Sequence, residues 1–366
     1  MTLGILVTVI FLVMAVLMMT KKMPALVALP LMSVLIGAVA GLPLNGPQGI
    51  LSFVLADGST KLAGTYIAIL LACWLSQILY RTGVTDTIIK KAAELGGDKP
   101  FVISLLLCAA TAFLFTTLYG TGAVVMVGSV VLPVMLSVGV PGIIASNAFL
   151  IAYAAGCTLN PASIAAITNI TGVAASDITF AAIFLTVVGA LFTVGYLAWG
   201  FKKNGLKFAF AARIEPEHEE EFGGQEGRPQ VTGFRGFMAT MTPLVIVILM
   251  LVFNWNVEAL LMFGIAWAIV FTFKGNWSSY MNMVVQSCYE GFKEGAPGAA
   301  LMIGIGMLLN AITAPITQAA INPFMVAITP TTAAGLVAFV CILAPLGLYR
   351  GPFNLMGLGA GLVASM

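Results

Sequence analysis

The feature that most limits what this chain can fold into is a succession of apolar stretches, most of them close to bilayer length, with nearly all the charge in the gaps between. A hydrocarbon core of roughly 30 Å takes about 20 apolar residues in an α-helix. Such stretches lie at 3–19, 25–40, 62–79, 101–118, 123–136, 143–172 with an interruption, 178–199, 237–253, 257–273, 298–314 and 332–348, and a last one runs from 352 to the end. Of the 366 residues, 60% are hydrophobic and 8% charged, whereas soluble domains have roughly 45–50% and about 25%. A core cannot hide so much hydrocarbon, so the solvent over most of the surface is lipid. The expected fold class is an all-α, multi-pass membrane protein.

Several functional classes drop out. A net charge of +2 gives no basis for a nucleic-acid partner. Cys73, Cys108, Cys157, Cys288 and Cys341 are odd in number and lack a Cys-x-x-Cys spacing, which argues against disulfides and structural zinc. No metalloprotease helix or phosphate-binding glycine-lysine loop is present, so the chain reads as neither an enzyme nor an ATP-driven pump. The first stretch is followed by Lys21-Lys22 rather than a cleavage site and reads as a retained membrane helix.

Basic residues set the orientation. With the amino terminus outside, Lys21, Lys22, Arg81, Lys90, Lys91, Lys99, Lys202, Lys203, Lys207, Arg213, Arg228, Arg235, Lys274 and Lys293 all fall inside, which is 14 of the 16. Lys61 falls outside, and Arg350 lies within an apolar stretch. This predicts an inner-membrane protein with residues 201–236 as a charged cytoplasmic linker. The Glu-rich surroundings of His218 read as part of that solvated linker. Segments 85–95 and 277–292 mix polar and apolar residues as interfacial helices do.

The chain repeats itself. LFTTLYGTGAVVMVGSVVLP around Tyr119 is echoed by LAPLGLYRGPFNLMGLGAGLV around Tyr349, each a Leu-Tyr and a glycine-containing turn between apolar arms. From Leu3 to Phe237, Leu62 to Gly298 and Tyr119 to Tyr349 the offsets are 234, 236 and 230. In the first unit the arm 123–136 reaches only about 21 Å at 1.5 Å per residue, which predicts a re-entrant hairpin over 101–136 rather than two full spans. Residues 1–200 thus form one repeat, of three spans, a cytoplasmic-side hairpin, a broken helix and a full span. Residues 237–366 form a second, of opposite orientation, with an outer-side hairpin over 332–366. Inverted repeats meeting near the bilayer midplane are the architecture of secondary transporters. The second repeat ends 17 residues after Tyr349, without a counterpart to the broken helix, and reads as truncated.

Non-helical backbone at membrane depth must line a protein-enclosed cavity. Three polar breaks qualify: Tyr119-Gly120-Thr121-Gly122, Thr158-Leu159-Asn160-Pro161-Ala162-Ser163 and Tyr349-Arg350-Gly351-Pro352-Phe353-Asn354. Half-helices starting at such breaks offer amide-rich amino termini to a carboxylate, and their carbonyl ends suit a cation. Arg350 is costly inside a membrane unless it is paired, and its planar fork matches a carboxylate. Every acid is assigned to a loop or span end, so backbone carbonyls with Thr and Asn oxygens are left to hold a coupling ion. That favours sodium, with the proton as alternative.

These residues resemble the ion transporter superfamily, which includes four-carbon dicarboxylate, citrate and gluconate permeases. The run 71–133, with ILYRTGVTDTIIKKAAELGG before the hairpin and GSVVLP after its tip, is also similar to the large membrane subunit of tripartite periplasmic-binding-protein transporters. The resemblance implies that Gly120, Thr121, Gly122, Thr158 and Asn160 bind an ion. It also implies that Thr121, Asn160, Ser163 and Asn354 bind substrate, to which the charge argument above adds Arg350, and that Tyr119, Tyr349, Gly351 and Pro352 shape the hairpin tips. No cofactor or metal is implied beyond sodium. The combined reading is a sodium-coupled symporter of small organic anions, di- or tricarboxylates. The rivals are a membrane subunit that needs a separate periplasmic binding protein and a non-transporting truncated permease. Relatives of this kind also pair as homodimers.

Overall fold

The computed structural model describes residues 2–97, 99–203, 231–253 and 255–320, with isolated positions between 332 and 342. Most of the linker 201–236 and the second tip, with Tyr349, Arg350, Gly351, Pro352 and Asn354, lie outside the described residues. Those described are helical, with no strand among them. The chain forms two compact units, and each takes segments from both halves of the sequence. One is Met1–Ile67, Ala166–Val173 and Ala296–Met366, and the other Ala68–Ala165 and Ala174–Gly295.

In the first unit α1 (Thr2–Met19) packs on α2 (Ala25–Val39), and α2 on a π-helical stretch, Ile50–Asp57, that leads into α3 (Gly58–Lys61). Leu29, Met32 and Ile36 on the inner face of α2 are fully buried. From Leu62 the chain continues as α4 (Ala63–Arg81). The stretch expected at 62–79 is therefore part of a longer run, Ile50–Arg81, of 32 residues. The interruption at Leu62 does not divide this run, so one candidate span takes in the preceding segment.

The second unit contains α5 (Val84–Leu95), α6 (Pro100–Phe115), α7 (Thr121–Ser137) and α8 (Gly142–Thr158). Beyond α8, α9 (Pro161–Thr171) follows at a 59° bend and passes into the first unit. The second unit resumes with α10 (Ala175–Lys203), α11 (Gly233–Thr240), α12 (Thr242–Phe253), α13 (Val257–Thr272) and the first part of α14 (Trp277–Thr313). α8 sits between α6 and α10. Its Gly156 meets the Ala112 backbone of α6 so closely that a Cβ there would overlap the Ala112 carbonyl, the kind of small-residue contact that lets membrane helices approach.

The lipid-facing character is plainest in α10. Its 29 residues could extend about 43 Å, and Phe180, Phe184, Leu191 and Phe192 all point outward, Phe180 with 79% of its surface exposed. At its end the Lys203 ammonium lies over the Trp199 ring, 4.8 Å from the centroid, the aromatic-and-basic arrangement of a membrane interface. Among the described residues three helices are long and apolar enough to span a bilayer, or five when each bent pair counts as one span. The chain is thus an all-α, multi-pass membrane protein.

Two features differ from expectation. The stretch at 237–253 is not one helix but α11 and α12, bent by 48°. Pro243 near the start of α12 cannot donate to the carbonyl of Ala239 and its ring crowds it, and Thr242 Oγ1 donates to that carbonyl instead, at 2.6 Å. Segment 277–292, expected as an interfacial helix, is the first part of the 37-residue α14. It meets α4, where Arg81 pairs with Glu290 and Trp74 Nε1 donates to the Val284 carbonyl at 3.2 Å, while Ser278, Ser279 and Asn282 are exposed.

Candidate functional site

The tip of the first hairpin is built from residues 116–120, between α6 and α7. It is held from two sides. From α4, Ser76 Oγ accepts the Tyr119 N–H at 2.8 Å while donating its own hydrogen to the Ala72 carbonyl at 2.8 Å. The Cys73 thiol reaches the Tyr119 carbonyl at 3.5 Å. From the broken helix, Asn160 Nδ2 donates to the carbonyls of Phe115 at 3.1 Å and Leu118 at 3.0 Å, and its Oδ1 accepts the Ala162 N–H at 3.0 Å. One side chain thus closes the carboxyl end of α6 and caps the amino end of α9, with Pro161 at the first helical position, where its missing N–H is no loss.

Asn160 is wholly buried, and both hydrogens of its amide are committed to the tip. It positions the hairpin on the broken helix. Thr158, two residues earlier, donates to the Ala155 carbonyl at 2.7 Å and lies against Thr186 of α10. Ser163 is half-buried and Thr121, the first residue of α7, is exposed. The structure therefore fastens the tip to Asn160 at Phe115 and Leu118 and to Ser76 at Tyr119, whereas Thr158 turns toward α10.

Gly120 has φ +101° and ψ 158°, a conformation essentially reserved for glycine. It turns the chain abruptly into α7 and, having no side chain, leaves that helix without a cap of its own. The first-turn amides of a helix have no acceptor within it, and the helix end carries the equivalent of about half a positive charge. Beside that turn lies the carboxylate of Glu294, close enough that a Cβ on Gly122 would overlap it.

This corrects the assignment of every acid to loops and span ends. Counting from Trp277, Glu294 is the eighteenth of the 37 residues of α14. Its Oε1 accepts from Gln77 Nε2 at 2.7 Å, and its Oε2 is buried without a hydrogen-bond partner among the described residues. Gln77 and Arg81 stand one turn apart on α4, as do Glu290 and Glu294 on α14. The two pairs form successive rungs between these helices, and only the outer one, Arg81–Glu290, is an ion pair. The sequence holds a trace of this in its matching i, i+4 spacings of polar residues within apolar surroundings.

The first unit holds a second polar cluster that sequence reasoning passed over. Lys61, assigned to an outer loop, ends α3 inside the Ile50–Arg81 run. Its Nζ donates to Asn310 Oδ1 of α14 at 2.7 Å, and Asn310 Nδ2 donates to the Phe53 carbonyl in the π-helical stretch at 2.8 Å. Asn169 Nδ2 donates to Thr65 Oγ1, one turn beyond Lys61, at 2.9 Å. Among the described residues no carboxylate pairs with Lys61. Its partner is a neutral amide fixed by the backbone, which leaves the ammonium group further donor capacity for an anion.

With the tip and the broken helix described, one protein family has a sequence model that fits this chain. The model of the C4-dicarboxylate anaerobic carriers (DcuC) matches residues 1–356. The chain belongs to that family. It is a multi-pass membrane carrier of the dicarboxylate class and not an enzyme. The match supports the expected likeness to dicarboxylate permeases. No curated protein matches the chain.

Proposed function

We propose that this carrier is a secondary active symporter of four-carbon dicarboxylates in the inner membrane, with sodium as the coupling ion. In this reading the amino terminus lies outside, residues 201–236 are cytoplasmic, and two inverted repeats move against each other around the substrate. The observation that carries it is the first hairpin tip. Asn160 and Ser76 fasten its backbone, and Gly120 opens the amino end of α7 with no cap of its own. Such an end suits one carboxylate of the substrate. Within the first unit, Lys61 held by Asn310 is by itself a cationic group suited to an anion.

The purified chain in proteoliposomes, given an imposed sodium or proton gradient, tests the coupling and the need for a partner together. The expected result is succinate accumulation driven by sodium without any added binding protein. Dependence on an added periplasmic protein would replace this reading with that of a membrane subunit. Citrate as competitor tests whether tricarboxylates enter. One observation favours the proton as the second reading of the coupling ion: Glu294 places a carboxylate at the tip, and intramembrane acids recur in proton relays.

Lys61→Gln removes the ammonium charge while keeping a hydrogen-bonding side chain. A hydrogen bond to a charged group is worth about 1.5–3 kcal/mol, so the expected loss of succinate affinity is about tenfold or more, with Lys61→Arg closer to wild type. Unchanged affinity in Lys61→Gln would make Lys61 an interfacial side chain with no part in binding.

A further inference from the structure

Glu294 has no task in substrate binding as described so far, yet it occupies the ground on which the substrate is expected. We propose that the tip of the first hairpin is a carboxylate site and that Glu294 is its tethered occupant, displaced when a carboxylate of the substrate enters. The proposal rests on the reading above that this tip receives the dicarboxylate.

The uncapped start of α7 shows only that an anion is welcome there. What points to a carboxylate is the group present. The Glu294 side chain comes from a helix 172 positions later in the chain (294 less 122) and lies against Gly122. Gln77 donates to Oε1 at 2.7 Å. Gly122 and Gly120 both lack side chains where one would meet this carboxylate: a Cβ on Gly122 would overlap it, and one on Gly120 would stand 3.7 Å from Oε2. The space is shaped to a carboxylate, with an amide donor on one side and a bare helix start on the other.

The fit of the tethered group is also incomplete. Glu294 Oε2 is buried and accepts no hydrogen bond among the described residues, and native interiors seldom leave such an atom unpaired. A purely structural cap would use both oxygens. A carboxylate free of α14 can turn to satisfy both, which gives the substrate an advantage over the side chain it replaces. Arg81, one turn along α4, is engaged with Glu290. The other titratable groups around the tip include the Tyr119 phenol, with Cys157 and Tyr153 beside it, and the Cys73 thiol, 3.1 Å from a Cβ position on Gly120. None of these offsets a second negative charge, and two carboxylates sharing one small site oppose each other's ionised form. Substrate and Glu294 therefore exclude one another, and the tip is covered in both the empty and the loaded state.

Calorimetric titration of the purified full chain with succinate at fixed pH and salt tests this. Glu294→Ala and Glu294→Gln are each expected to tighten binding by at least about fivefold, the lower edge of ordinary coupling between two ligands. Gln77→Leu, which loosens the clamp without touching the tip, is expected to tighten it less. Wild-type binding with equal or weaker binding by variants that still melt cooperatively would overturn the proposal and leave the carrier reading standing. If the Glu294 variants do not fold, Gln77→Leu decides by the same criterion. Absence of succinate binding in wild type and variants alike would overturn the carrier reading itself, and this proposal with it.

Discussion

Replacing Asn160 by alanine is expected to abolish uptake and to lower the melting temperature more than any other single change at the first hairpin. The side chain is fully buried and makes three hydrogen bonds: it donates to the carbonyls of Phe115 and Leu118 and accepts the Ala162 N–H. Alanine leaves all three backbone groups without these partners. A buried polar group left unsatisfied costs about 1–3 kcal/mol, and partial relaxation brings the sum to about 2–5 kcal/mol, a large share of the 5–15 kcal/mol that holds a typical domain together. The functional loss should exceed the stability loss, because the same bonds fasten the tip to the broken helix. Asn160→Asp sharpens the test. It replaces two donors with acceptors facing two carbonyl oxygens, so it should be worse than alanine despite its size. Thermal unfolding followed by tryptophan fluorescence, with uptake of labelled succinate at a temperature where the variants stay folded, measures both. A variant with normal uptake would show that the junction of hairpin and broken helix has no part in transport.

The outline of this junction is legible in the sequence because its causes are local. Asn160-Pro161 carries its own stop and start: proline cannot continue the hydrogen-bonding of α8, and asparagine caps α9. The arms expected at 101–118 and 123–136 are close to α6 and α7, since a Leu-Tyr-Gly turn between apolar runs is also a local pattern. The features that the sequence conceals depend on partners far along the chain. Lys61 follows Asp57-Gly58-Ser59-Thr60, and Glu294 follows Glu290 and Lys293, so each reads as part of a polar stretch between spans. On sequence grounds a charge marks a helix end, which puts both residues in loops. In the structure the charge is tolerated because something distant receives it, Gln77 for Glu294 and Asn310 for Lys61. The same cause hides the length of α14. The polar residues of 277–292 suggest a separate surface helix, but Glu290 pairs with Arg81 of α4 and the helix runs on to Thr313.

Gly122→Ala should eliminate succinate binding, and adding Glu294→Ala should not restore it. A Cβ on Gly122 occupies the space of the Glu294 carboxylate. That carboxylate ends a flexible side chain and can retreat, at the expense of its bond to Gln77, so the stability lost in the single variant should be about 1.5–3 kcal/mol, the usual worth of a hydrogen bond to a charged group. In the Glu294→Ala background that bond is already absent, and the methyl group should cost far less. The stability effects are then non-additive by about 0.5–3 kcal/mol, as for residues in direct contact. Binding should behave differently, because the methyl group excludes any carboxylate from the tip whether it belongs to Glu294 or to the substrate. Glu294→Ala alone vacates the space, and Gly122→Ala fills it in either background. A double variant that binds succinate as well as Glu294→Ala would mean that the space beside Gly122 serves the glutamate only, and that the substrate is held elsewhere. A double variant that melts like Glu294→Ala but does not bind would place a substrate carboxylate where the side chain of Glu294 now rests.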